Sequence, residues 1–250
     1  MVSIILHGCC GRMGRMIAQI AAEDADMKIV AGVDAFGDKY DEFPVYRSLQ
    51  ECPDADVLID FSTASAMDGL FAYCTEHKLP AVICTTGLSD AQTEAMKKMS
   101  AQTAVLKSAN MSLGINLLEA VLGEVAPKLA AAGFDIEVVE KHHNQKLDAP
   151  SGTAIALADA ANEALGNTYE YVYDRTVRRQ KRPVKEIGIS AVRGGTIVGD
   201  HDVIFAGQDE VITFSHRAYS RAVFAKGAVE AARFLAGKEA GFYTMSDVIG

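Results

Sequence analysis

The residues best suited to chemistry lie close together, within residues 140–154. This segment contains two adjacent imidazoles, His142 and His143, and then the ammonium group of Lys146. A turn follows at residues 149–153 and opens an apolar helical pattern. A helix that starts there presents backbone N–H groups and a positive dipole end, which suit a carboxylate or a phosphate. The segment therefore predicts an acid catalyst beside an anion-binding turn.

Adjacent histidines are weak evidence by themselves, because neighbours on a strand point to opposite faces and either one could be an ordinary core or surface residue. The whole segment is more specific. It resembles the signature of the dihydrodipicolinate reductase family, Glu-x-His-His-x-x-Lys-x-Asp-Ala-Pro-Ser-Gly-Thr-Ala, and every fixed position is present. The resemblance covers nearly the whole chain, including residues 193–201 and 215–218.

The first residues have the order that a dinucleotide fingerprint requires. An apolar strand pattern at residues 2–6 leads directly into a glycine loop and then a helical pattern. The loop has the spacing Gly-x-x-Gly-x-x-Gly, and the next strand pattern ends in an acid that can bind ribose hydroxyls, although such an acid can also be a simple turn or cap residue. The predicted cofactor-binding residues of this region are Gly8, Cys9, Cys10, Gly11, Arg12, Met13, Gly14 and Asp34.

Strand and helix patterns continue to alternate after the glycine loop. Strands are predicted at residues 56–62, 80–85 and 104–107, with helices at 64–78, capped by Ser65, and from Ser89 through Met99. The second helix opens with Ser89 and Gln92 at the spacing of a capping box. This alternation predicts a parallel sheet covered on both faces, with ligands beyond the carboxyl ends of its strands. The family resemblance implies that the loops at those ends line the nicotinamide, although Cys84 and Met111 depart from its pattern. These loop residues are Thr85, Thr86, Gly87, Ala109, Asn110, Met111 and Ser112.

The second half has a different organisation. A long helix is predicted at residues 113–132, a strand at 134–140 and a helix from 152 to about 165. Strands at 186–192, 196–206 and 210–216 follow without intervening helices, which predicts an open mixed sheet with helices on one face. A final helix is predicted at 222–235. Oligomerisation would cover the other face of that sheet.

These patterns predict an α/β chain with a Rossmann-type parallel domain and a second α+β domain. Residues 1–112 are the expected dinucleotide-binding domain and residues 113–219 the expected substrate-binding and oligomerisation domain. The resemblance implies that residues 220–250 return to the first domain. It also favours a homotetramer.

The resemblance further implies a reaction: reduction of 4-hydroxy-tetrahydrodipicolinate, a small dicarboxylate, by NADH and/or NADPH with loss of water. His142 matches the family's proton donor and acceptor, and Lys146 matches its second proton donor. His143, Lys146, Gly152 and Thr153 match the groups that hold the substrate. An imidazole suits proton transfer near neutral pH.

Cofactor choice depends on the residues around the predicted ribose-binding acid. Asp34 is followed by alanine and phenylalanine, with no basic residue directly after it. An acid there accepts the ribose hydroxyls of NADH but repels a 2′-phosphate. Either Lys39 or Arg12 could partly neutralise that phosphate. We therefore expect both cofactors to be used, with NADH at least as good.

Composition limits the remaining possibilities. A formal net charge of -9 argues against nucleic acid as a partner. The five cysteines are odd in number and lack Cys-x-x-Cys spacing, so we expect reduced thiols in the cytoplasm and no metal site. His201 and His216 have no companion ligands at zinc spacing, which favours structural roles. We also expect no signal peptide and no transmembrane helix.

Two features leave alternatives open. The basic stretch from Arg175 to Lys185 is interpreted as a solvated loop or a subunit contact. For the function, the rivals are another two-domain Rossmann reductase and a nucleotide-sensing scaffold. An aldehyde dehydrogenase would need a nucleophilic cysteine in the second half, and no cysteine follows Cys84. A scaffold would not need His142 and Lys146 beside an anion-binding turn.

Overall fold

The chain forms two compact units in this computed structural model, which describes residues 1–37, 40 and 42–250. The first unit comprises Met1–Ser112 together with Ala222–Gly250, and the second comprises Leu113–Arg221. The first unit is therefore discontinuous in sequence, because the second is inserted between its two segments.

The first unit is built on a parallel sheet of seven strands in the order β12-β6-β5-β4-β1-β2-β3. The central strands are almost entirely buried, as continuous apolar runs in a parallel sheet should be. The strands are β1 (Val2–His7), β2 (Met27–Val33), β3 (Val45–Tyr46), β4 (Val57–Asp60), β5 (Ala81–Ile83), β6 (Ala104–Lys107) and β12 (Gly241–Tyr243). The helices are α1 (Arg12–Ala22), α2 (Met67–His77), α3 (Asp90–Ser100), α6 (Ala222–Leu235) and α7 (Met245–Ile249).

The local start signals of two helices were predicted with different success. The capping box of Ser89 and Gln92 is present at the start of α3. The predicted N-cap role of Ser65 is wrong, because a 3-10 turn at Ala64–Ala66 precedes α2 and the Ser65 hydroxyl bonds Thr63 instead. Strands β3 and β12 were not predicted, since two or three residues are too few to show a period.

The second unit is an open mixed sheet of five strands in the order β11-β10-β7-β9-β8. Strand β10 is antiparallel to β7 and β11, whereas β9 is parallel to β7 and β8. The strands are β7 (Asp135–His142), β8 (Glu170–Val172), β9 (Glu186–Arg193), β10 (Gly199–Ala206) and β11 (Val211–Ala218). The helices are α4 (Leu113–Ala131) and α5 (Gly152–Ala164).

The core of this unit lies between the two helices and one face of the sheet. Leu122 of α4 and Leu157 of α5 are fully buried with Val203 and Phe205 of β10. Alternate residues of β7 are buried, so its inner face carries two apolar side chains and then Glu140 and His142. Two details differ from the prediction: β10 begins at Gly199, and the short strand β8 was not foreseen.

Candidate active site

A buried carboxylate–imidazole pair ends the inner face of β7. Glu140 and His142 are two residues apart on a strand, so both side chains point to the same face. Nδ1 of His142 lies 2.6 Å from Oε2 of Glu140, and Glu140 is fully buried. Glu140 was not predicted as a functional residue, although its spacing from His142 was a usable signal.

The other lone pairs of Glu140 are also used. Arg193 at the end of β9 donates to both carboxylate oxygens at 2.7 Å, and the Ser151 amide donates at 3.0 Å. Burial alone would raise the pKa of Glu140, but the hydrogen bonds from Arg193, His142 and Ser151 lower it. The carboxylate is therefore charged. Because it accepts from Nδ1 of His142, the ring presents Nε2 as the atom for proton exchange.

Ser151 links the start of α5 to a second buried imidazole. Its hydroxyl accepts from the Ala154 amide at 3.1 Å, which caps the helix, and lies 3.0 Å from Nε2 of His201. The ring centroids of His201 and His142 are 5.2 Å apart in an edge arrangement. Burial, with the electrostatic effect of the neighbouring His142 acting in the same direction, lowers the pKa of His201 to about 4. A neutral His201 therefore packs against His142.

The loop after β7 carries the predicted anion-binding residues. Nζ of Lys146 lies 2.8 Å from Oδ1 of Asp148, and this hydrogen bond lowers the pKa of Asp148. The Asp148 carbonyl accepts from Arg193 at 2.7 Å, so the same guanidinium contacts both Glu140 and this loop. Gly152 is exposed at the first position of α5, and an added Cβ would meet no atom within 4 Å. His143 is partly buried directly after β7.

The glycine loop of the first unit has the tight geometry that a dinucleotide site requires. Gly8 has φ +78°, and a Cβ there would overlap the Phe61 carbonyl. A Cβ at Gly14 would overlap the Gly8 carbonyl, so this glycine permits close packing of α1. The N-cap of α1 is Gly11, whose position has no side-chain cap, and this leaves the helix start open toward an anion. The loop fits a dinucleotide phosphate.

A cavity of about 580 Å³ lies beside this loop. It is lined by the loop, by the end of β2 and by the residues after β4, including Gly8, Cys10, Gly11, Asp34, Ser62 and Thr63. Oδ2 of Asp34 accepts from the Cys10 amide at 3.0 Å, and Oδ1 accepts from the amides of Phe36 and Gly37. The described residues use three of the about four acceptor positions of this carboxylate, and the fourth suits a ribose hydroxyl.

The basic residues near Asp34 differ from those that the sequence suggested. Lys39 lies outside the described residues. Arg12 is exposed and does not line the cavity, whereas Arg15 does. Arg47 donates to the Asp34 carbonyl at 3.1 Å. Neither Arg15 nor Arg47 was identified from the sequence. Arg47 comes close to the end of β2 only through the fold, so no sequence pattern marks it.

Asp60 connects the loops at the carboxyl ends of three strands. It is fully buried and accepts from His7 at 2.9 Å, from the Ser62 hydroxyl at 2.6 Å and from the Thr85 amide at 3.3 Å. Burial would raise the pKa of Asp60, but these hydrogen bonds lower it. Nζ of Lys107 donates to the Thr85 carbonyl at 2.6 Å. The predicted nicotinamide loop at Thr85 is thus fixed to the glycine-loop side of the sheet.

The remaining predicted cofactor loop follows β6. Met111 and Ser112 are buried, Asn110 is half-buried and Ala109 is exposed. The Ser112 amide donates to Oδ1 of Asn110 at 2.8 Å, and a Cβ at Gly227 of α6 would overlap the Met111 carbonyl. Helix α6 therefore packs closely against this loop. Thr86 and Gly87 are exposed.

The basic stretch after β8 pairs with its own sheet, so the interpretation as a solvated loop is wrong for its main arginines. Arg175 makes a two-pronged contact with Glu137 at 2.7 and 2.9 Å. Arg178 contacts Glu186 at 2.5 Å. Arg182 contacts Asp135 at 2.6 Å.

These two units define a class of protein. One unit combines a parallel sheet, a glycine loop and an acid after the second strand, and the other carries a buried imidazole–carboxylate pair. This is the organisation of a dinucleotide-dependent oxidoreductase with a separate substrate-binding unit. Residues 2–111 match the family model for the N-terminus of dihydrodipicolinate reductase, and residues 114–249 match the model for its C-terminus. The chain belongs to the dihydrodipicolinate reductase family.

Individual relatives agree with this assignment. The 4-hydroxy-tetrahydrodipicolinate reductase of Caldanaerobacter subterraneus subsp. tengcongensis is 51% identical over 250 residues, covering 100% of this chain and 98% of the relative. That of Clostridium botulinum is 48% identical and covers 100% of this chain and 99% of the relative. A dipicolinate-bound dihydrodipicolinate reductase from Paenisporosarcina sp. TG-14 has the same fold, with a TM-score of 0.80, 22% identity and coverage of 98% and 97%.

The comparisons confirm the fold class, the reductase function and the nicotinamide cofactor, NADH and/or NADPH, that the sequence predicted. They decide against a nucleotide-sensing scaffold. None of the helices in the described part of the chain has the length and apolarity that a membrane-spanning segment requires.

Proposed function

We propose that this chain reduces 4-hydroxy-tetrahydrodipicolinate to tetrahydrodipicolinate with loss of water, in the biosynthesis of lysine and diaminopimelate. Family membership supports this reaction, and so does the name of the dipicolinate-bound relative, because dipicolinate is a planar dicarboxylate of the same kind. One observation carries the proposal. A charged, buried Glu140 holds His142 and bonds the main chain at the start of a helix, which supports His142 as an acid near a turn suited to an anion.

His142 supplies a proton from Nε2 to the ring of the substrate, while Glu140 stabilises the ring of His142 through Nδ1. A nicotinamide bound to the first unit would supply the hydride. Lys146 is the second proton donor and pairs with a substrate carboxylate in place of Asp148. His143, Gly152 and Thr153 hold the same dicarboxylate at the beginning of α5.

Each unit has its own task in this proposal. The first unit binds the cofactor through Asp34, the glycine loop from Gly8 to Gly14, and the loops that contain Thr85–Gly87 and Ala109–Ser112. The second unit, with its boundaries near residues 113 and 221, binds the substrate and joins subunits through the face of its sheet opposite α4 and α5. We propose a homotetramer in the cytoplasm, with no nucleic-acid or membrane partner.

The reaction is tested by following oxidation of NADH and NADPH in the presence of the product formed from pyruvate and aspartate semialdehyde. We expect turnover by the unaltered chain and a loss of about a hundred- to ten-thousand-fold in His142→Ala, with the dissociation constant of NADH unchanged. His77→Ala in the first unit is a control for the removal of a histidine. Near-normal turnover in His142→Ala would exclude His142 as the acid, and no turnover by the unaltered chain would refute the reaction.

A further inference from the structure

Two adjacent thiols and a carboxylate meet in the cofactor-binding loop. Within the described part of the chain, Cys9, Cys10 and Asp34 are the one group of three or more histidine, cysteine and acidic residues whose ligating atoms lie within 4.8 Å of one another. The sequence argued against a metal site because it lacks Cys-x-x-Cys spacing. Cysteine spacing takes no account of Asp34, which the parallel pairing of β1 with β2 brings beside the glycine loop.

The separation of the two sulfur atoms suits a metal ion better than a disulfide. Sγ of Cys9 and Sγ of Cys10 are 3.7 Å apart. Two thiolates at about 2.3 Å from a tetrahedral zinc ion are separated by about 3.8 Å, so the observed distance needs almost no adjustment. A disulfide between neighbouring residues is disfavoured, because Cα atoms across a trans peptide are about 3.8 Å apart and usual disulfides need about 4.4 Å or more.

The third ligand is already oriented by the backbone. Three amides donate to Asp34, and Oδ2 accepts from the Cys10 amide, which fixes that oxygen beside the Cys10 side chain. Cys10 and Asp34 line the cavity of about 580 Å³, so an ion can enter from that side. Nε of Arg15 donates to the Cys10 carbonyl at 3.1 Å, and its positive charge offsets part of the negative charge that two thiolates and a carboxylate would accumulate.

We propose that Cys9, Cys10 and Asp34 bind a thiophilic divalent cation such as Zn²⁺ or Cd²⁺, and that the bound ion excludes the dinucleotide. Binding forms two metal–sulfur bonds and one metal–oxygen bond and releases the two thiol protons to solvent, with no change of oxidation state. The ion uses the acceptor position of Asp34 that would otherwise remain for a ribose hydroxyl. Exclusion of the cofactor rests on the proposed cofactor site, whereas the metal site itself does not.

Burial sets the reactivity of the deeper thiol. Cys9 is fully buried, and burial together with the Cys10 side chain raises its pKa to about 12. This thiol is therefore a poor nucleophile, and ordinary alkylation will not report on it. The raised pKa does not prevent metal coordination, because the ion itself deprotonates a coordinating thiol.

The first experiment counts sulfur ligands. Reduced, metal-free protein is loaded with one equivalent of Zn²⁺ or Cd²⁺ and studied by X-ray absorption and by the thiolate-to-cadmium charge-transfer band. We expect two sulfur neighbours, at about 2.3 Å for zinc. In Cys10→Ala one sulfur is lost and the cadmium dissociation constant rises about tenfold or more, whereas the matched variant Cys52→Ala keeps both sulfurs. No sulfur, or one, in the unaltered protein overturns the site, and this measurement needs no variant to fold.

The second experiment measures NADH binding by calorimetry with and without saturating Cd²⁺. The dissociation constant of NADH should rise about tenfold or more, and NADH should weaken cadmium binding by the same factor, because coupling between two ligands is reciprocal. Two sulfur ligands with unchanged NADH affinity would overturn the exclusion of the cofactor. Failure of the proposed reaction is a separate result, since it would show as absence of turnover in metal-free protein that still binds the ion through two thiolates.

Discussion

Glu140→Gln tests the carboxylate that holds His142. The substitution keeps the size of the side chain and removes its charge. In the native protein this fully buried carboxylate accepts from Nδ1 of His142 at 2.6 Å, from two nitrogens of Arg193 and from the Ser151 amide. Glutamine has one acceptor oxygen where glutamate has two, so an N–H group of the amide must face one of these donors.

The expected loss of activity follows from the charge of the carboxylate that accepts the hydrogen bond from His142. A hydrogen bond to a charged group contributes about 1.5–3 kcal/mol and a neutral one about 0.5–1.5 kcal/mol, so the stabilisation of a protonated His142 falls by about 1–1.5 kcal/mol. Since 1.36 kcal/mol is a factor of ten, kcat should fall about five- to tenfold. The dissociation constant of NADH should not change, because Glu140 belongs to the second unit whereas the proposed cofactor site belongs to the first.

The same substitution should also lower the free energy of unfolding. Removing one partner of a buried ion pair costs about 3–5 kcal/mol. The side chain of Arg193 remains 20% exposed and glutamine retains some hydrogen bonds, so about 2–3 kcal/mol is expected. Glu137→Gln is the matched control, since Glu137 is on the same strand and pairs with Arg175 and Arg182. The side chain of Glu137 is 26% exposed and that of Arg175 is 35% exposed, so weakening these contacts should cost about 1 kcal/mol with kcat unchanged.

The assay combines steady-state turnover, NADH calorimetry and urea unfolding of the unaltered protein, Glu140→Gln and Glu137→Gln. Equal kcat in the first two proteins would refute the role of Glu140 in holding His142. An equal fall of kcat in both variants would show that the loss is a general effect of damage to the second unit.

Three further predictions concern other parts of the structure. Lys146→Ala should raise the dissociation constant of pyridine-2,6-dicarboxylate about tenfold or more, because a charge-assisted hydrogen bond is lost; equal affinity by calorimetry would remove Lys146 from the site. Arg47→Ala should lower kcat/KM for NADPH but not for NADH, since Arg47 donates to the Asp34 carbonyl and adds positive charge near the proposed ribose-binding acid; an equal loss for both cofactors would contradict this. His201 should destabilise the protein in acid, because its pKa is about 4 when folded and about 6.5 when unfolded. The unfolded chain binds the extra proton between these values, so stability falls as pH decreases from about 6.5 to 4, by up to about 1.4 kcal/mol per pH unit. His201→Gln should show a smaller fall in urea midpoint over that range, and an unchanged slope would refute the assignment.

Much of the fold could be predicted because its signals are local. The buried strands of the parallel sheet are continuous apolar runs, and the alternation of strands with helices dictates their parallel pairing. The alternating pattern before His142 likewise predicted β7. Short strands such as β3 and β8 were not predicted, because their formation depends on the strands they pair with and not on their own residues.

The candidate site was predictable only where its residues adjoin in sequence. His142, Lys146 and Gly152 stand in one segment, but Arg193 lies 53 residues from the Glu140 it contacts, and His201 lies 50 residues from Ser151. Only the register of β7 between β9 and β10 brings those groups together. The basic stretch was misinterpreted for the same reason, since its acidic partners on β7 precede it by about forty residues.

The insertion of the second unit has a consequence for synthesis on the ribosome. The last strand of the parallel sheet, β12, pairs with β6, and α6 packs against α1 and contributes seven buried residues. Both elements are made after the whole of the second unit has been translated. Until these elements are translated, the first unit has an open sheet edge and an uncovered apolar face. The five-stranded sheet of the second unit has all its strands by then. We expect the later unit to reach its folded state first, and the cofactor-binding unit to depend on chaperones until translation ends.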